Sequence, residues 1–127
     1  MTTLAGLVDK HVEAALVGGE KGAQGGEFAC PPRLAQLCKD DKAWRDTPVC
    51  VLYSTDTVGG NSGSPVLDAD GNFVAINFDR QRLGLMNEFK WSHAYSRSIG
   101  TDVRYILKLV GDYDGAAWLV DEMVAGA

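Results

Sequence analysis

A mainly β fold closed by C-terminal helices is the class that the sequence predicts, on three observations: an apolar, β-rich run from Pro48 to Ser54, a hairpin signature between Ser64 and Phe78, and helical spacing of apolar residues after Asp102. The hairpin reads as Pro65-Val66-Leu67 and Asn72 to Phe78, joined at Asp70-Gly71, a dipeptide suited to tight turns. From Asp102 to Val110 the apolar residues Val103, Ile106, Leu107 and Val110 recur at three and four residues, with Asp102 as the expected N-cap and Gly111 as the expected stop. A second helical stretch, Ala116 to Met123, carries Trp118, Leu119 and Met123 on one side. Strands followed by helices suggest a sheet covered by the helices at the end of the chain.

The N-terminal part reads less clearly. Leu4, Leu7, Val8, Val12, Ala15 and Leu16 lie near helical spacing, over a short stretch without an evident cap. Residues 18–26 contain five glycines and gain too little from burial to offset their ordering entropy, so they read as a loop or linker. Pro31-Pro32 opens a short surface helix, because proline wastes no amide hydrogen in a first turn; Leu34, Leu37 and Cys38 form its apolar stripe.

At 127 residues and 46% hydrophobic content, the chain suffices for one globular domain or for part of a larger one. A net charge of −5 gives no basic face for nucleic acid or anionic lipid. No run of about 18 apolar residues is present to cross a bilayer, and Met1-Thr2-Thr3-Leu4 lacks the basic segment and apolar core of a signal peptide. Cys30, Cys38 and Cys50 have no C-x-x-C spacing, and only His11 and His93 could join them as nitrogen ligands. Neither a metal nor any other cofactor is expected, and at most one disulfide could close.

The chemistry-bearing stretch is Gly59-Gly60-Asn61-Ser62-Gly63-Ser64-Pro65, in the loop between the two β-rich runs. A serine hydroxyl attacks only when a base takes its proton and fixed donors hold the oxyanion, so its loop must turn sharply and expose amides. Glycines on both sides permit that turn. Ser62 is the candidate nucleophile, and the amides of Gly60 and Ser62 are the candidate oxyanion hole. For a bare G-x-S-x-G match, a plain turn between strands would be the better reading; the longer motif and its strand context favour the catalytic one.

These residues resemble the bacterial dipeptidyl-peptidase 7 and 11 serine exopeptidases, closest to the acidic-residue-specific type. The likeness rests on Thr2-Thr3-Leu4, Pro32-x-Leu34, the run Thr57 to Leu67, Asn77-Phe78-Asp79-Arg80, Arg97-Ser98-Ile99, Asp102 to Leu107 and Asp121-Glu122-Met123. It covers nearly the whole chain and is poorest from His11 to Glu27, where residues 18–26 look like an insertion. The resemblance implies half of a chymotrypsin-like double β-barrel, the half that bears the nucleophile, with C-terminal helices. It also implies a peptide substrate, no cofactor, a periplasmic or cell-surface location and homodimers of the full-length protein. Family members are several times longer, with the base histidine and its aspartate upstream and a helical domain besides. A chain of residues 1–127 alone is accordingly expected to be nearly inert.

Specificity falls on the strand after the nucleophile. Alternation along a strand sends Asp79 and Arg80 to different sides, so the two need not neutralise each other. By resemblance, Arg80 binds an Asp or Glu side chain at the second substrate residue, a task suited to a planar guanidinium fork, and Asp79 holds the free N-terminal ammonium. The plain alternative is a solvated strand end.

Neither His11 nor His93 matches the family's base; His93, in Trp91-Ser92-His93-Ala94-Tyr95, is expected to be partly buried. Asp56 and Asp102 read as a loop residue and a helix cap rather than a triad acid. Two other classes stay open: an inactive, truncated peptide-binding or interaction module, and a glutamyl-type chymotrypsin-like endopeptidase that needs no free amine.

Overall fold

The computed structural model describes residues 2–10, 30–82, 84, 86 and 89–125; the glycine-rich stretch 18–26 and His11 lie outside them. The chain clusters into two compact units, Thr2–Val49 and Cys50–Ala127.

In the first unit a short strand β1 (Thr2–Thr3) leads into α1, whose described part is residues 4–10. Leu4 and Val8, one turn apart, are buried, which is the stripe the spacing predicts. Next comes α2 (Pro32–Asp40), opened by proline as expected, with Leu34 and Cys38 buried. The short α3 (Lys42–Arg45) was not evident in the sequence. The Asp41 carboxylate caps it by accepting from the Ala43 amide at 2.7 Å, and Trp44 inserts its ring into the unit's interior. The Leu4 amide donates to the Thr47 carbonyl at 2.8 Å, tying the two ends of the unit together.

The second unit is an antiparallel sheet followed by helices. Strand β2 (Pro48–Tyr53) enters it at Cys50, and β3 (Pro65–Leu67), β4 (Phe73–Arg80) and β5 (Ser98–Asp102) complete it in the spatial order β2-β5-β4-β3. The expected hairpin is present as β3 and β4. Its turn is held by Asp68, whose carboxylate accepts from the amides of Asp70 and Asn72 at 3.0 and 2.9 Å, while Gly71 supplies the left-handed residue at φ 86°. These donors also hold the Asp68 carboxyl below its usual range, the Asn72 side chain contributing most.

The central strand β5 was not anticipated. Its inward positions are Ser98, Gly100 and Asp102, all buried, so it carries no apolar alternation to betray it. Gly100 is required by packing. A Cβ there would stand 3.0 Å from both the Ala75 Cβ and the Ile76 carbonyl oxygen, and 3.1 Å from Tyr53 Cε1. The β4–β5 ladder pairs Asn77 with Gly100 but Asp79 with Ile99, leaving Phe78 as the extra residue of a β-bulge.

Asp102 caps α4 (Val103–Lys108) as predicted, accepting from the Arg104 amide at 2.9 Å. The helix does not stop at Gly111. It widens into a π-helical turn, Leu109–Tyr113, and ends at Gly115, which takes φ 70° while the Ala116 amide reaches back to the Val110 carbonyl at 2.9 Å. Gly111 stays within the helix, at a point where a Cβ would come no closer than 3.6 Å to Val120 Cγ2 of the next helix, α5 (Ala117–Ala125). The apolar residues expected on one side of α5 are exposed, Trp118 at 66% and Met123 at 51%.

Substituting Gly100 by alanine should lower stability by about 1–3 kcal/mol, the usual cost of overpacking against a neighbour that cannot retreat. The urea midpoint of Gly100→Ala should fall at unchanged slope; an unaltered midpoint would show that the strands simply move apart.

Candidate functional site

The loop after β2 is built by its own side chains. The Asn61 carboxamide oxygen accepts from the Val58 amide at 2.8 Å, and the Asn61 amide returns to the Val58 carbonyl at 3.2 Å, closing a compact turn around Gly59-Gly60. Gly60 has φ 95° and Gly63 φ 88°, so both glycines flanking Asn61-Ser62 occupy the region that a side chain disfavours. The Ser64 amide donates to the Asn61 carbonyl at 3.1 Å, carrying the chain across Ser62 into β3.

Ser62 is exposed at the crest of this turn. Its hydroxyl donates to the Phe78 carbonyl at 3.3 Å, a long bond to the bulged residue of β4. Among the hydrogen bonds of the described residues, none uses the amide hydrogens of Gly60 or Ser62, whereas the amides of Asn61, Gly63 and Ser64 are all engaged. The loop therefore ties down the amides on either side of Ser62 and leaves those of Gly60 and Ser62 uncommitted among the described residues.

A cleft of ≈ 140 Å³ is walled by Thr57, Val58, Ser62 and the β4 residues Phe78, Asp79 and Arg80. The sequence expectation separated Asp79 and Arg80 by strand alternation; beyond the bulge at Phe78 the two pair in regular register with Ile99 and Ser98, and both border the same cleft as Ser62. The Asp79 carboxylate accepts from the backbone amide of Arg80 at 2.7 Å. Arg80 is half-buried, with Nη1 shielded from solvent. Below the cleft, the buried Ser98 hydroxyl donates to the Thr55 carbonyl at 3.0 Å and lies 2.5 Å from the Thr57 hydroxyl, fixing the start of the loop on β5.

The remaining candidates lie apart from this cleft's lining. His93 is exposed rather than partly buried; its ring meets Trp91 edge to face at 6.3 Å, a contact that leaves the imidazole on the outside. Among the described residues no imidazole is hydrogen-bonded to Ser62. Asp56 is an exposed loop residue, and Asp102 is buried, held in a 2.7 Å ion pair with Arg104. Cys30, Cys38 and Cys50 are free thiols, each raised above the ordinary thiol range by burial. The residue that sequence reasoning left without a role is Asn77, which is 4% exposed and bonded to the Ser62 loop through its side chain and its backbone. An amide in the middle of an otherwise apolar strand run, Phe73 to Phe78, was the available signal.

The structure superposes on part of a solved peptidase, the crystal structure of Porphyromonas endodontalis DPP11 in complex with the dipeptide Arg-Asp, with a TM-score of 0.80 and 31% identity over 95% of this chain and 17% of that one. Residues 1–125 match the family Peptidase S46, and the chain belongs to it. Similar curated proteins include an Asp/Glu-specific dipeptidyl-peptidase of Capnocytophaga gingivalis, 38% identical over 96% of this chain, and a dipeptidyl-peptidase 7 of Phocaeicola vulgatus, 33% identical over 76% of it. The chain spans 17% and 14% of the length of those two relatives.

Asp102 gives a pH signature independent of catalysis. The hydrogen bonds from Arg104 hold its carboxyl below the usual range. Its contribution to stability is thus present above the unfolded value of about 3.9 and disappears as pH falls through the lower folded value. Asp102→Asn keeps a capping oxygen but not the charge, so its deficit in denaturation midpoint should be largest above about pH 4 and fade in stronger acid. A deficit that stays constant with pH would assign the loss to packing instead.

Proposed function

We propose that this chain is the nucleophile-bearing part of a serine dipeptidyl-peptidase that releases N-terminal dipeptides with Asp or Glu in second position. The observation that carries the reading is the conjunction in one cleft of an exposed Ser62 and the Asp79–Arg80 pair, beside a turn in which the Gly60 and Ser62 amides donate no hydrogen bond among the described residues. In the proposed mechanism Ser62 Oγ attacks the carbonyl of the second substrate residue. The Gly60 and Ser62 amides receive the oxyanion, and the amine of the third residue leaves with a proton. The dipeptide stays esterified to Ser62 until water releases it. Arg80 meets the acidic side chain and Asp79 the terminal ammonium, and this fixed spacing is what would make the enzyme count two residues. The Phe78 carbonyl accepts the serine hydroxyl at rest; in this reading a histidine base and its aspartate would be supplied from outside the matched segment.

The same reading makes the strands from β2 to β5 part of a chymotrypsin-like double barrel, one of several architectures that carry this chemistry. A homodimer exported to the periplasm or cell surface belongs to the same reading. The Asp/Glu specificity named for the Capnocytophaga relative and the Arg-Asp dipeptide, with Asp in second position, bound by the Porphyromonas enzyme support the assignment of Arg80.

Without its base a serine triad loses on the order of 10⁴ in rate or more, so residues 1–127 expressed alone should leave a chromogenic dipeptide ending in Asp or Glu essentially intact. Turnover by the isolated chain at the rate of the full-length enzyme would refute the division of labour proposed here. In the full-length enzyme, Arg80→Gly should shift preference from acidic toward apolar second residues, read as a ratio of kcat/KM values; an unchanged ratio removes Arg80 from the pocket. Acetylating the substrate N-terminus should abolish cleavage, whereas an endopeptidase would cut the blocked peptide as readily as the free one.

A further inference from the structure

We infer that Asn77 is a positioning residue for Ser62, and that Tyr53 orients it; the inference rests on the peptidase reading above. Four polar groups of Asn77 are committed around the nucleophile. Its backbone carbonyl accepts from the Gly63 amide at 2.7 Å, its backbone amide donates to the Ser64 carbonyl at 2.9 Å, and its side-chain Nδ2 donates to the Asn61 carbonyl at 3.0 Å. The residues on either side of Ser62 are thereby pinned to one residue of β4, while Ser62 itself is left exposed. The fourth group, Oδ1, accepts from the Tyr53 hydroxyl.

This last bond fixes which way the amide faces. A flipped carboxamide would set Oδ1 against the Asn61 carbonyl, two acceptors with no proton between them. The Tyr53 hydroxyl donates to Oδ1 and so selects the orientation in which Nδ2 points to the loop. Burial raises the tyrosine above its ordinary range, and it remains a donor at neutral pH. Tyr53 is itself held from β2 across β5, its ring lying where a side chain at Gly100 would otherwise stand. Asn77 is also the last residue before the bulge, so the residue that anchors the loop begins the turn that presents the Phe78 carbonyl, Asp79 and Arg80 to the cleft. The backbone bonds would survive substitution; the side-chain clamp on Asn61 would not.

The test is kinetic, in the full-length enzyme. Asn77→Ala should lower kcat by about 10²-fold, the scale expected when a reacting group is misplaced by roughly 1 Å, while KM for an acidic dipeptidyl substrate changes by less than about 3-fold. The rate of labelling of Ser62 by a fluorophosphonate should fall in parallel, which loss of substrate contacts alone would not produce. Tyr53→Phe should lower kcat by about 3- to 10-fold, and the double variant should be no worse than Asn77→Ala, since the two act through one clamp. A correctly folded Asn77→Ala with wild-type kcat and labelling rate overturns the inference, as do additive effects of the two substitutions. Should Asn77→Ala fail to fold, Tyr53→Phe decides, and an unchanged kcat then overturns it. Ser62→Ala keeps the two questions apart: if that variant still labels and turns over, it is the peptidase reading that falls, whatever the Asn77 variants do.

Discussion

A single missing side chain sets the spacing of the sheet. At Gly100 the central strand comes so close to Ala75 and Ile76 of β4 and to the Tyr53 ring of β2 that a Cβ would meet all three at 3.0–3.1 Å. Contacts of that kind are tighter than ordinary van der Waals packing, and interiors packed to crystal density have no slack with which to absorb them. The consequence reaches well beyond β5. Tyr53 and Asn77 are on strands that do not pair with each other, yet their side chains share a hydrogen bond, because the strand between them presents no side chain at the crossing point. The polar network beneath the Ser62 loop therefore depends on a glycine that touches neither the loop nor the cleft.

The β-bulge translates that packing into a site. In an uninterrupted ladder Asn77 and Asp79 would point to one face and Phe78 and Arg80 to the other. The extra residue at Phe78 shifts the register between Asn77 and Asp79, and the buried Asn77 together with Phe78, Asp79 and Arg80 borders the cleft. Bulges recur beside active sites for this reason: one inserted residue re-aims its neighbours without disturbing the rest of the sheet. Here the local cost is offset on the loop side, where the Phe78 carbonyl accepts the Ser62 hydroxyl.

Legibility in the sequence followed the physics of each element. The β3–β4 hairpin was readable because Asp70-Gly71 is a turn with its own chemistry, and α2 because two prolines and an apolar stripe mark it locally. The Ser62 loop was readable because the glycines on both sides of Asn61-Ser62 permit a backbone that few other residues adopt. Strand β5 was not, since a strand whose buried positions hold serine, glycine and aspartate has no hydrophobic period. Nor was the end of α4, where Gly111 stays helical with room for a Cβ and Gly115 takes the positive φ; both are glycines in the sequence, and only φ distinguishes them. The bulge was equally hidden. A one-residue insertion in a ladder depends on the partner strand, and Asn77, marked in the sequence only as an amide in an apolar run, acquires its role from the residues that β2 and the loop bring to it.

The charge balance of the chain bears on how an acidic substrate would be selected. A net charge of −5 disfavours the approach of Asp- or Glu-bearing peptides at long range, but beyond about 8 Å physiological salt screens most of that repulsion. Selectivity in the proposed reading must then be local. A guanidinium with a shielded nitrogen at the cleft wall supplies it more effectively than a surface lysine would, because a partly desolvated cation meets a carboxylate at lower effective dielectric and with fixed geometry. The adjacent Asp79 does not cancel this advantage as long as its carboxylate is held by the Arg80 main-chain amide, a bond that fixes its direction and leaves acceptor capacity for an ammonium. In the proposed reading, opposite charges one residue apart would serve two ends of one dipeptide, kept separate by backbone geometry rather than by distance along the strand.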